Sequence, residues 1–87
     1  MAQRTVKIIN ESGLHARPCH AVVQLALTFQ AELRVRFASL DVNGKSILEL
    51  MTLAAGRGEE LELIAEGPDE DALLDALGAL IAAGFEE

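Results

Sequence analysis

The sequence contains no tryptophan and no tyrosine, and only three phenylalanines, Phe29, Phe37 and Phe85, in 87 residues. Just over half of the residues are apolar, 51%. A core must therefore be built from Leu, Val, Ile and Ala. Basic residues are scarce, seven Lys and Arg against fourteen Asp and Glu, for a formal net charge of -7. That balance argues against binding to nucleic acid or to an anionic membrane, both of which call for a basic face. Arg34 and Arg36 form one local basic strip, which reads as a solvated strand face. The only cysteine is Cys19, so no internal disulfide is available and a reducing, cytoplasmic setting is expected. The first residues hold no apolar run of signal-peptide length. Residues 72–84 are apolar but are interrupted by Asp75 and are too short to span a bilayer. The expectation is one soluble domain over residues 1–87, large enough for a modest core.

What is present is a clear alternation of strand and helix signals. Residues 5–9 read as a strand, with Val6 and Ile8 on one face and Thr5 and Lys7 on the other. Asn10, Glu11, Ser12 and Gly13 form a turn. A helix then starts between Ala16 and Pro18 and runs to Phe29, burying Val22, Val23, Ala26 and Phe29. Residues 31–38 are the clearest strand: Leu33, Val35 and Phe37 point one way, Glu32, Arg34 and Arg36 the other. Residues 40–43 return as a third strand through a short connection at Ser39.

After the Asn43, Gly44 turn, Ser46 and Glu49 match a capping box, in which the serine accepts from the third helical N–H and the glutamate reaches back. This second helix is expected to run to Ala54 or Ala55 and to stop at Gly56. Residues 59–66 give a fourth strand, with Leu61, Leu63 and Ala65 inward. Gly67 and Pro68 break it, and Asp69, Glu70 and Asp71 place negative charge at the start of a third helix. Its buried stripe is read as Leu73, Leu77, Leu80, Ile81 and Phe85. The order β-α-β-β-α-β-α predicts an α+β fold: a four-stranded antiparallel sheet with three helices on one face.

One stretch carries chemistry: Gly13, Leu14, His15, Ala16, Arg17 and Pro18. His15 stands where a turn becomes a helix. The positive end of the helix dipole opposes a protonated ring there and favours the neutral imidazole, a nucleophile. A phosphoryl group accepted by that ring would meet the backbone N–H groups of the helix start, those of Ala16 and Arg17. The Arg17 guanidinium adds forked, charge-assisted hydrogen bonds to the same oxygens. Such a site stabilises charge without a metal or cofactor. The plainer alternative is an ordinary exposed or capping histidine. With no visible substrate pocket, the pattern describes a carrier and not a complete enzyme. His15, Cys19 and His20 do not make a zinc set, because they supply only three ligands and the adjacent pair points about 100° apart on a helix. Gly44, Lys45 and Ser46 do not make a phosphate-binding loop, since that motif needs glycine where Ser39 stands. A thiol near a helix start, such as Cys19, would be somewhat acidified.

Residues 13–18, followed by Asn43, Gly44, Lys45, Ser46, Ile47 and Leu48, resemble the histidine-containing phosphocarrier (HPr) family of the bacterial phosphoenolpyruvate-dependent phosphotransferase system. Length, element order and spacing agree over nearly the whole chain. The resemblance implies an open-faced β-sandwich. It also implies that His15 takes phosphate on Nδ1 from enzyme I and passes it to an A-domain acceptor of a sugar permease or a regulatory branch, with Arg17 holding the phosphoryl group. Ser46 matches the position that a serine kinase/phosphorylase modifies in some members. A phosphate on this N-cap would add negative charge to the docking face. Ile47, Leu48 and Met51 cannot all face the core of a short helix, so part of this set, together with His20, is expected as an exposed docking patch on a monomeric carrier.

The chain departs from many relatives in carrying Gln24 and Leu27 where basic residues are frequent, in placing Glu49 on the second helix, and in having Cys19 where a small residue is usual. Its acidic tail and overall charge are similar to those of the nitrogen-related paralogue. A second function class stays open beside the carrier: a non-transferring regulatory binding module controlled by phosphorylation at Ser46.

Overall fold

The computed structural model describes residues 1–86. Its elements are β1 (Ala2–Lys7), α1 (Ala16–Ala26), β2 (Glu32–Phe37), β3 (Leu40–Asn43), α2 (Ile47–Met51), β4 (Glu60–Glu66) and α3 (Glu70–Ala82), followed by a 3₁₀ turn (Gly84–Glu86). The four strands form one antiparallel sheet in the order β1-β4-β2-β3. The helices cover one face, giving the β-α-β-β-α-β-α open-faced sandwich that the sequence predicts. None of the helices is long and apolar enough to cross a membrane.

The core lies between sheet and helices and is aliphatic, as the missing aromatics required. Ile8, Leu33, Leu50, Leu63, Leu73, Leu77 and Ile81 are its largest fully buried side chains. Strand alternation holds in β2, where Leu33 and Val35 are buried and Glu32, Arg34 and Arg36 are exposed. In β4, Leu61, Leu63 and Ala65 face inward as expected, yet Ile64 is buried as well. Ile64 pairs with Gln3 and Arg34 and stands outside the main core cluster. It is therefore covered on the outer face of the sheet by long polar neighbours, which bury a central strand position without a second layer. Around it the basic strip is neutralised: Arg34 pairs with Asp41 at 2.9 Å, and Arg36 with Asp41 at 3.1 Å and Glu62 at 3.3 Å. These hydrogen bonds, from Arg36 first and Arg34 second, hold the Asp41 carboxyl below the usual carboxylate range.

Element ends differ from the sequence expectation for local reasons. β1 begins at Ala2, three residues earlier than expected, because its whole length pairs with β4, from Ala2 opposite Ala65 to Lys7 opposite Glu60. α1 ends at Ala26 and not at Phe29. The N–H groups of Thr28 and Phe29 donate to the carbonyls of Leu25 and Ala26, three residues back, and so tighten the final turn out of α geometry. α2 stops at Met51, short of Ala54 or Ala55. The same i to i−3 pattern recurs at Thr52 and Leu53, and Ala54 (φ 52) takes the left-handed conformation that Gly56 had been expected to supply. In α3 the buried stripe includes Leu74, and Leu80 is only partly buried. Phe85 is buried in the 3₁₀ turn, after the helix has ended.

The capping box of α2 is half realised. Ser46 Oγ accepts from the Glu49 N–H at 3.2 Å. Glu49 does not return to Ser46; its Oε1 accepts from the Asn43 N–H at 3.0 Å, and the Ser46 N–H donates to the Asn43 carbonyl. The glutamate thus ties the helix to the end of β3.

Asp69, the N-cap of α3, also serves a distant segment. Its side chain leaves its own helix uncapped and accepts from the N–H groups of Gln30 (2.9 Å) and Ala31 (2.8 Å). This links the chain entering β2 to the start of α3. These backbone donors, Gln30 first, lower the Asp69 pKa from its ordinary value. A depressed folded-state pKa contributes stability above the unfolded-state value and loses it as pH falls through the folded-state value. Asp69→Ala should therefore unfold more easily than the parent in urea at neutral pH. The difference should shrink as pH is lowered toward about 2. A gap of constant size across that range would rule out the carboxylate as its source.

Candidate functional site

The loop before α1 is built by its own polar groups. Asn10 Nδ2 donates to the Gly13 carbonyl at 2.7 Å, and the Gly13 N–H donates back to the Asn10 carbonyl at 3.2 Å. Gly13 has φ 68, and a Cβ placed on it would stand 2.6 Å from the Ala55 carbonyl oxygen and 2.8 Å from Gly56 Cα. Only glycine allows the loop to lie this close to the segment leaving α2. The next residue seals the contact, because the Leu14 N–H donates to the Ala55 carbonyl at 2.9 Å and its side chain is buried.

His15 follows as the N-cap of α1, with extended backbone angles (φ -104, ψ -165), and its side chain does not cap the helix. Its backbone is engaged, since its N–H donates to the Gly13 carbonyl and its carbonyl accepts from the Cys19 N–H at 3.0 Å. The imidazole is half-buried. Pro18 has no N–H and Cys19 has used its own, so the first-turn donors outside the helical ladder are those of Ala16 and Arg17. Both residues are exposed. His15 and Arg17 line one open depression of about 520 Å³ with Ile9, Asn10, Glu11, Ser12 and Gly84. Gly84, at the other end of the sequence, stands 3.9–4.0 Å from Ile9 and Asn10 when extended by a Cβ, so the 3₁₀ turn forms one wall. That wall carried no signal in the sequence, because it depends on Phe85 turning back at φ 59 into the core.

The arrangement offers a half-buried imidazole, two backbone donors at the positive end of an eleven-residue helix, and an exposed guanidinium. Among the described residues no carboxylate pairs with Arg17, so its fork is available to an anion. These groups can hold a phosphoryl group and spread its charge.

The other residues singled out in the sequence fall in two places. Pro18 and Cys19 are buried beneath the start of α1. Burial pushes the Cys19 thiol up to about 11, which reverses the acidification expected from the helix start: desolvation outweighs the dipole. His20 is exposed on α1. On α2, Leu50 turns inward, Ile47 is half-buried against the core, and Leu48 (80%) and Met51 (43%) are exposed. Ser46 is half-buried with its oxygen engaged in the cap.

Residues 2–83 match a family model described as PTS HPr component phosphorylation site. The phosphocarrier protein HPr of Treponema pallidum is 45% identical over 87 residues, covering 100% of this chain and 99% of that protein. The phosphocarrier protein NPr of Shewanella violacea is 39% identical over 85 residues, covering 98% and 93%. The crystal structure of HPr-C-His from Thermoanaerobacter tengcongensis matches with a TM-score of 0.95 at 40% identity, over 100% of this chain and 98% of that one.

The close approach at Gly13 yields a test of how the site is positioned. Gly13→Ala adds left-handed strain and forces a methyl against backbone atoms that have no rotamer to move into. A loss of about 2–4 kcal/mol is expected, measured by urea unfolding. Native-state hydrogen exchange at Leu14 should rise along with it, and unchanged protection there would show that the seam does not depend on glycine.

Proposed function

This chain belongs to the HPr family of the phosphotransferase system, whose members are phosphocarriers, and on that premise we propose that His15 is the residue that carries the phosphoryl group. The observation that supports this most is the placement of an imidazole that does not cap its own helix beside the exposed Arg17, at the N-terminus of α1.

In the proposed transfer, enzyme I presents a phosphoryl group and a lone pair of the neutral His15 ring, on Nδ1 by family resemblance, attacks phosphorus. A P–N bond forms as the bond to the donor atom breaks, and the donor keeps the electron pair. The moving group is close to metaphosphate, with its charge on three outer oxygens. The Ala16 and Arg17 N–H groups at the helix start and the Arg17 guanidinium, which lines the same depression as His15, would meet that charge. These donors would stabilise the charge on the transferred phosphoryl group. The reverse sequence delivers it to an A-domain acceptor of a sugar permease or a regulatory branch. No cofactor or metal enters this scheme. In this reading the carrier works as a cytoplasmic monomer.

Ser46 supplies the regulatory part of the reading. A serine kinase/phosphorylase acting there would place a dianion on the N-cap of α2, which its helix end accepts, beside Glu49 in the first turn and near the exposed Leu48. The addition would disfavour partners that dock on apolar groups. A non-transferring module that works through Ser46 alone is the weaker reading, because it leaves the His15 and Arg17 pairing without a purpose.

Incubation with phosphoenolpyruvate and enzyme I should produce one acid-labile phosphoryl group. His15→Ala should abolish it, and equal labelling of that variant would sink the proposal. Arg17→Lys, which keeps the charge and loses the fork, should slow transfer about tenfold, and Arg17→Ala by about a hundredfold. A separate incubation with ATP and the cognate kinase should modify Ser46. The Ser46→Asp variant should then raise the KM for enzyme I while leaving transfer at saturation within about twofold. Parent-like kinetics in that variant would remove Ser46 from the scheme.

A further inference from the structure

β1 is one edge of the sheet. Ile8 fixes which of its backbone groups face the open side. It donates to the Glu59 carbonyl (2.9 Å) and accepts from the Gly58 N–H (2.7 Å). Bonded positions alternate along an antiparallel pair, so Val6, Arg4 and Ala2 also bond toward β4. The N–H and C=O groups of Gln3, Thr5 and Lys7 therefore point to the open edge. Among the described residues no loop or helix bonds to them. A six-residue edge of this kind is a template for another strand.

A groove of about 400 Å³ runs beside this edge, walled by residues 4–7 and Ile9 on one side and by Gly78, Ile81 and Ala82 of α3 on the other. Consecutive strand residues point to alternate faces, so a cavity that touches four in a row lies along the strand's edge. Gly78 leaves the space that the Arg4 guanidinium occupies, where it donates to the Leu74 carbonyl at 3.1 Å and pairs with Asp75 at 2.7 Å. Arg4 thus closes one end. Beyond it the lining is apolar, with Val6, Ile81, Ala82 and the exposed Ile9. The charge of this edge is opposite to that of the rest of the sheet. β1 holds two of the seven cationic side chains and no carboxylate, whereas β2, β3 and β4 each carry at least one. Asp75 answers Arg4, but Lys7 is exposed and forms no ion pair among the described residues.

We propose that the β1 edge and its groove take up an extended acidic segment of another protein as a fifth strand. The backbone of that segment bonds to Gln3, Thr5 and Lys7. Its side chain opposite Val6 is apolar and enters the groove over Ile81 and Ala82, and the next one, opposite Lys7, is a carboxylate. Charge complementarity selects this occupant. A second copy offers no such strand: its β1 has no carboxylate, and on its other sheet edge the only one, Asp41, is held by Arg34 and Arg36. A lysine that merely guards an edge against aggregation needs no apolar groove beside it. No residue of α1 or α2 lines the groove, and only Ile9 is shared with the His15 depression. The bound segment and the phosphoryl group therefore use separate side chains.

The probe is a short soluble peptide that alternates valine with glutamate, and its control alternates valine with lysine. Each is titrated into the isotope-labelled full chain and followed by NMR. The glutamate peptide should saturably shift the amides of Gln3, Thr5 and Lys7 and the methyls of Val6 and Ile81, with a Kd of about 1 mM or tighter. The lysine peptide should leave these signals in place. Lys7→Glu should weaken binding about fivefold or more. Thr5→Pro removes a donor aimed at the open edge and leaves the β4 pairing intact, so it should abolish binding. A thermal melt checks that both variants fold, and Lys7→Glu with the peptide pair decides the matter where Thr5→Pro does not. His15→Ala should bind like the parent, which keeps this result separate from the phosphoryl reading. Equal shifts from the two peptides, or shifts confined to α1 and α2, overturn the proposal. Edge shifts that appear on concentrating the chain without peptide also overturn it, since they make a second copy the occupant.

Discussion

The site depends on a single seam between two loops. Gly13 lies within van der Waals reach of the segment leaving α2, and the Leu14 N–H closes the contact on the Ala55 carbonyl. His15 is the next residue, so any displacement of the seam moves the imidazole and the start of α1 together. The seam also explains why α2, a helix of five residues too short to stand alone, has a fixed place. Its exit is held by the His15 loop, its entry is held by Glu49 on Asn43, and Leu50 fixes it to the core. The proposed phosphoryl site and α2 are thereby held together as one unit.

Charge placement separates stability from contact. On the outer sheet face Asp41 pairs with Arg34 and Arg36, and Glu62 with Arg36, while Asp69 accepts from the backbone entering β2. Exposed ion pairs of this sort add little stability each. They lie on the sheet face away from α1, and among the described residues no carboxylate pairs with Arg17 beside His15. A carrier needs this asymmetry: a positive spot large enough to hold phosphate briefly, in surroundings that do not retain it.

Much of the architecture was legible in residue order. The strict alternation in residues 31–37, the Asn43, Gly44 turn and the Gly67, Pro68 break each state a backbone preference that burial then reinforces. The helix ends were less legible. Thr28 and Thr52 sit where the last turns tighten, and Ala54 and Phe85 take left-handed angles that their side chains do not favour. Tertiary contacts override local preference at these places. Glu49 matched a capping box by spacing, yet the end of β3 supplied a nearer donor. Cys19 sat at a helix start, yet the core around it pushed its thiol up.

The sequence by itself determined the chemistry at hand: a histidine, an arginine and a proline at a helix start, with glycine before them, because these are properties of neighbouring residues and of the helix dipole. The tertiary structure decided everything that joins distant segments. It set Gly84 beside Asn10 to wall the site, brought the exit of α2 against Gly13, and tied the Lys45 ammonium at the entry of α2 to the Phe29 carbonyl beyond α1. Such contacts arise from packing a limited aliphatic core between one sheet and three helices. That constraint acts on the whole chain at once, and no short stretch of residues can express it.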